Sequence, residues 1–138
     1  MTLALLVNID VDDLGRAEAF YRDAFGLSAA RRFGDGGVEM VGASSPVYLL
    51  RKEAGSAAGE VMPQTRDYGR HWTPVHLDFV VDDVEGALLR AEAAGAVREG
   101  DVRTAHWGRI ATLADPFGNG FCLIEFLNRG YDEIATRG

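Results

Sequence analysis

Two stretches of this chain, LLVNIDVDDL (residues 5–14) and VHLDFVVDDV (residues 75–84), align when one is slid by 70 positions onto the other. Val7 then meets Leu77, Ile9 meets Phe79, Val11 meets Val81, and the Asp12-Asp13 pair meets Asp82-Asp83. A repeat with a period of half the chain calls for two copies of one supersecondary unit rather than a solenoid. Each copy alternates apolar residues, Leu3 to Val11 in the first and Val75 to Val81 in the second, which is the pattern of a strand with one buried face. Each strand then meets Asp-Asp, which can supply the side-chain acceptor that starts a helix. Leu14, Ala17, Phe20, Tyr21 and Ala24 fall on one helical stripe, and Val84, Ala87, Leu88, Ala91 and Ala94 on another. Gly26 and Gly95 stand where left-handed caps would end these helices.

After each helix come short strand-like runs separated by turn residues. FGDGG (residues 33–37) precedes VEMVG and PVYLLRK in the first copy. In the second copy the candidates are VREGDV, HWGRIATLAD and GFCLIEFL, with DPFGNG as the turn before the last. The expected fold class is therefore α+β, built from two βαβββ modules over residues 1–52 and 74–127 of a single domain, 1–138. Residues 53–73 read as the linker, whose polar and aromatic second half could fold over a cavity, and residues 128–138 as a polar tail.

Composition narrows the function classes. A chain of 138 residues can bury a core without covalent staples, and its single cysteine, Cys122, excludes an internal disulfide and suits a reducing compartment. With 21 acidic against 14 basic residues the net charge is −7, which disfavours nucleic acid as a partner. No run approaches a membrane span, and the opening MTLALLVNID lacks the basic start of a secretory signal, so a soluble cytoplasmic protein is expected.

The stretches VNIDVDDLGRAEAFYRDAFGL, VHLDFVVDDVEGALLRAEAAGA and HWGRIATLADPFGNGFCLIEF carry a resemblance to the vicinal oxygen chelate superfamily, also called the glyoxalase/bleomycin resistance/dioxygenase superfamily. It extends over nearly the whole chain, to about Leu127. The resemblance implies a glyoxalase-like fold in which curved mixed sheets surround a cavity, often across a module-exchanged homodimer. It also implies metal ligands on the first and last strands of the modules. His76 and Glu125 match such positions in the second module, but Leu6 stands where a first-module histidine would, and Val41–Lys52 offers no His, Asp, Glu or Cys.

Half a ligand set is thus expected: His76 and Glu125 for zinc, nickel, manganese or iron, with His71, His106, Glu39, Glu53 or Asp78 open as a third donor. By strand parity His76 and Asp78 point away from the helix-covered core, while Cys122 reads as a buried, inert core thiol. If first and last strands are neighbours, His76 and Glu125 approach each other across the pair. Trp107 is expected as a cavity wall, ahead of Trp72, with Tyr48, His76 and His106 as further ligand contacts. Arg109 could pair a ligand carboxylate or Glu125. The leading expectation is a homodimeric small-molecule-binding protein without a metal. A divalent-metal lyase, isomerase or dioxygenase acting on vicinal oxygens is the alternative, and an accessory subunit with a vestigial cavity the third reading.

Overall fold

A computed structural model describes residues 2–136. The chain divides into two compact units, one reaching to Gly69 and the other beginning at Arg70. In the first unit the elements are β1 (Val7–Val11), α1 (Leu14–Phe25), β2 (Ser28–Arg32), β3 (Gly37–Val41) and β4 (Val47–Arg51). They form one mixed sheet in the order β1-β4-β3-β2, in which β1 and β4 run parallel and the other pairs antiparallel. The second unit has β5 (Leu77–Val80), α2 (Val84–Ala94), β6 (Val97–Arg98), β7 (Arg103–Ala105), β8 (Gly108–Ala114) and β9 (Gly120–Phe126). Its sheet order is β5-β9-β8-β6, with β5 parallel to β9, and β7 also pairs with β8. The edge strand of this unit is therefore split in two, a detail the run VREGDV does not disclose. A 3₁₀ turn, Gly130–Glu133, follows β9.

Both helices begin as the Asp-Asp pairs require. Asp13 accepts a hydrogen bond from the Arg16 backbone N–H at 3.0 Å, and Asp83 accepts one from that of Glu85 at 3.2 Å. Gly26 ends α1 in the left-handed region, where φ is 70°, and Gly95 ends α2 at a φ of 120°, which a side chain would also resist. The predicted stripes are the buried ones: Ala17, Phe20, Tyr21 and Ala24 on α1, and Val84, Ala87, Leu88 and Ala91 on α2. In the first unit they belong to a core with Val11, Val38, Met40 and Leu49, and in the second with Leu113, Phe117, Phe121 and Leu123.

The first strands are shorter than their apolar alternation. β1 starts at Val7, whose N–H reaches the Pro46 carbonyl just before the partner strand β4 begins, and Leu3, Leu5 and Leu6 are left exposed. Alternation extends a strand only as far as a neighbour offers backbone partners. The segment after β4 is not featureless either. Ala57 and Thr65 pair as an isolated bridge, and Arg66 ties that small hairpin to β1 through Asp10 at 2.7 Å.

Leu123 is fully buried at the centre of β9. Leu123→Ala should cost about 2–5 kcal/mol, seen as a lower urea midpoint with an unchanged slope.

Candidate functional site

The site of the second unit is set by how β5 pairs with β9. Asp78 stands opposite Cys122, and Leu77 opposite Phe121. Side chains alternate along each strand, so His76, Asp78 and Cys122 share one face while Phe79, Leu123 and Glu125 share the helix-covered face. His76 Nε2 lies 3.2 Å from Asp78 Oδ1. One ligand atom from each of His76, Asp78 and Cys122 lies within 4.8 Å of the others. Burial pushes the Cys122 thiol up, an effect that a contact with the Thr112 hydroxyl at 3.6 Å offsets in part.

These groups line an open cleft of about 460 Å³. Arg70, Trp72, Glu99 and Arg103 complete its polar and aromatic walls, with Ile110 and Thr112 on its floor. Trp72 comes from the stretch before β5 and is fixed by what lies under and around it. A methyl group on Gly120 would sit 2.0 Å from its ring, so the absence of a side chain there is what admits the indole. The Trp72 and His76 rings lie 4.7 Å apart at 34°, and the Arg70 guanidinium is 5.6 Å from the indole. Arg70 is itself held by Glu99 through bonds of 2.5 and 2.6 Å. His71 bonds Asn119 at 2.8 Å, joining this stretch to the turn before β9.

Several expected site residues lie elsewhere. Glu125 does not approach His76: three residues beyond Cys122 on an alternating strand, it faces α2 and accepts the Val84 backbone N–H at 2.9 Å. There it satisfies an orphan donor at the helix N-terminus, where negative charge is favoured. Arg109 shares that face, opposite Glu125 in the register, and pairs with Glu85 at 2.5 Å. Cys122, expected in the core, is buried but opens onto the cleft. His106 and Trp107 form the turn between β7 and β8 and do not line this cleft. His106 bonds Glu133 at 2.6 Å, and the Trp107 ring lies 5.0 Å from that of Tyr131, so the pair clamps the 3₁₀ turn of the tail.

Tyr48 belongs to the first unit, at the position that corresponds to Cys122. It donates to Glu39 at 2.8 Å and accepts from Arg31 at 3.0 Å, while Arg31 also grips Glu39 at 2.7 and 2.9 Å. Leu6, Asn8, Tyr48 and Glu39 thus stand where the second unit has His76, Asp78, Cys122 and Thr112. In the first unit Tyr48 and Glu39 are tied together by Arg31, while in the second unit all four positions line the cleft.

A divalent metal is the group this architecture brings into question. The donors present are one imidazole, one carboxylate and one thiol, a set that suits zinc or a similar borderline ion better than magnesium or calcium. Three protein ligands with an open fourth position is the pattern of a reactive rather than a closed structural site. The donor chemistry fits, and His76, Asp78 and Cys122 are the residues that would hold the ion.

Each unit is a βαβββ module, and together they define an α+β protein of the glyoxalase-like architecture. Residues 6–124 match the family model of the glyoxalase-like domain, and the chain belongs to that family. A lactoylglutathione lyase from Agrobacterium tumefaciens is similar at 26% identity, with a TM-score of 0.63 over 91% of this chain and 94% of that one. A glyoxalase/bleomycin resistance protein/dioxygenase family enzyme from Burkholderia phytofirmans PsJN shares the fold at a TM-score of 0.68 and 23% identity, over 88% of this chain and 97% of that one. The anthracycline biosynthesis protein DauV of Streptomyces sp. (strain C5) is 33% identical over 94% of this chain, which spans only 43% of that relative. Among the described residues no helix is long and apolar enough to cross a membrane.

Two outcomes follow from this geometry. Gly120→Ala should lift Trp72 off β9, increasing acrylamide quenching of its fluorescence in a Trp107→Phe background. The second concerns Glu39, whose carboxyl the Arg31 hydrogen bonds, and next that of Tyr48, hold down at about 2. A depressed carboxylate contributes stability above its unfolded pKa and loses it as pH falls through the folded one. The unfolding midpoint should therefore drop between about pH 4.5 and 2, and Glu39→Gln should flatten that part of the profile.

Proposed function

We propose that this chain is a small-molecule-binding protein whose ligand lies in the cleft of the second unit, against Trp72 and His76. One observation carries the reading. An indole held flat over Gly120 and left 49% exposed is an apolar surface that the fold orients but does not use for its own core. Flat aromatic faces next to a few fixed polar groups are the ordinary construction of a ligand site. Similarity to an anthracycline biosynthesis protein supports a planar, fused-ring, oxygen-bearing ligand. The working form would be a homodimer, since twofold assemblies are the commonest closed oligomers.

A second reading is favoured by the His76–Asp78–Cys122 set. If these residues hold a divalent ion, the protein would be a lyase, isomerase or dioxygenase, and the ion would polarise substrate oxygens as a Lewis acid. In that role Asp78 would orient the His76 ring through their contact, and the neighbouring Trp72 would limit access of water to it.

Calorimetric titration with 1,4-dihydroxyanthraquinone tests the first reading. Trp72→Ala should weaken binding about tenfold, the loss expected for one large buried aromatic contact, and Trp107→Phe should leave it unchanged. Equal affinity in wild type and Trp72→Ala would remove the cleft from consideration. Elemental analysis of protein purified without a histidine tag separates the readings. Stoichiometric zinc, nickel, manganese or iron that disappears in both His76→Ala and Cys122→Ser would establish the metal-dependent form.

A further inference from the structure

The cleft contains more charge than its shape requires, and most of that charge is already matched. Arg70 is held by Glu99 through two hydrogen bonds, and Asp78 lies 3.2 Å from His76, an ion pair only when the imidazole is protonated. Arg103 is the other arginine of the lining. Its strand β7 sets it opposite Ile110, which places it on the face shared with Thr112 and Cys122 rather than on the helix side. Among the described residues no carboxylate pairs with it, whereas Arg31, Arg32, Arg66, Arg70, Arg98, Arg109 and Arg129 all have acidic partners.

We propose that Arg103 recognises an anionic group, and that the cleft takes planar aromatic molecules carrying one ionised acidic oxygen, a carboxylate or an acidic phenol. The inference rests on the cleft being the ligand site. A guanidinium presents a planar fork of donors that matches a carboxylate in two parallel hydrogen bonds, and it stays charged at every physiological pH. Trp72 supplies the flat surface for the aromatic body. The overall charge of −7 would suggest a cationic ligand, but charges more than about 10 Å apart are largely screened at ordinary ionic strength. A guanidinium in the wall with no carboxylate paired to it therefore bears on the ligand more than the sum over the surface does.

The test compares three probes of similar shape by calorimetry near neutral pH: 3-hydroxy-2-naphthoate, its uncharged methyl ester, and the 2-naphthylmethylammonium cation. The naphthoate should bind most tightly. Arg103→Gln should weaken it about tenfold, as expected for loss of a charge-assisted hydrogen bond, and leave the ester within about twofold. Arg103→Glu should transfer the preference to the ammonium probe. Arg103 is exposed, so both variants should keep the wild-type circular dichroism spectrum. If naphthoate and ester bind alike, or if Arg103→Gln leaves naphthoate unaffected, the anion assignment fails, and a Trp72-dependent affinity for the ester would keep the cleft itself as the site. If none of the three probes binds, both readings fall together.

Discussion

The grouping of His76, Asp78 and Cys122 in the second unit follows from the parallel pairing of its first and last strands. The register that puts Asp78 opposite Cys122 puts two groups of a possible ligand set and the His76 imidazole on one side of the sheet. The same register commits Glu125 to the other side, where it serves the N-terminus of α2. A slip of one residue would exchange every side chain between faces, exposing Leu123 and burying the polar set. The hydrophobic core under α2 therefore fixes the chemistry of the opposite face, because it alone tolerates no other register.

The two units show how duplication separates architecture from function. Both have parallel first and last strands, aspartate-capped helices and a sheet face turned away from the helix. In the first unit that face is closed by its own side chains, Arg31 bridging Glu39 and Tyr48. In the second, Thr112 stands at the glutamate position and Cys122 at the tyrosine, shorter side chains that touch at 3.6 Å and line a cleft. Small residues at two matched positions accompany the cleft. Gly120 extends the same logic, since only its missing side chain lets Trp72 approach β9.

The faces of the two opening strands, the helix stripes, the caps and the closing turn were legible in the residues, because each depends on neighbours within a few positions. His76, expected as a ligand contact, lines the cleft beside Trp72. Glu125 was misread as its partner because parity tells which residues of one strand share a face but not which faces of two strands coincide. Cys122 is buried as expected, but on the face of Asp78 rather than the helix side, for the same reason. Trp107, expected as a cavity wall, does not line this cleft: an aromatic next to a turn glycine packs with whatever reaches it, and here Tyr131 of the tail does. Arg103 and Glu99 carried no sequence signal. They lie in an irregular edge whose two short strands follow no hydrophobic period.

By itself the sequence determined that this chain is two copies of one βαβββ unit, since period, capping and core pattern are local properties repeated at a fixed offset. It also determined that the copies are unequal, with His76 in one and Leu6 in the other. Only the tertiary structure decided which unit has the open face, that Cys122 and Asp78 rather than Glu125 accompany His76, and that Trp72 and Arg103 stand in its walls. Those facts depend on registers between strands distant in the chain and on which charges find partners, and such pairings are settled by packing the whole unit at once.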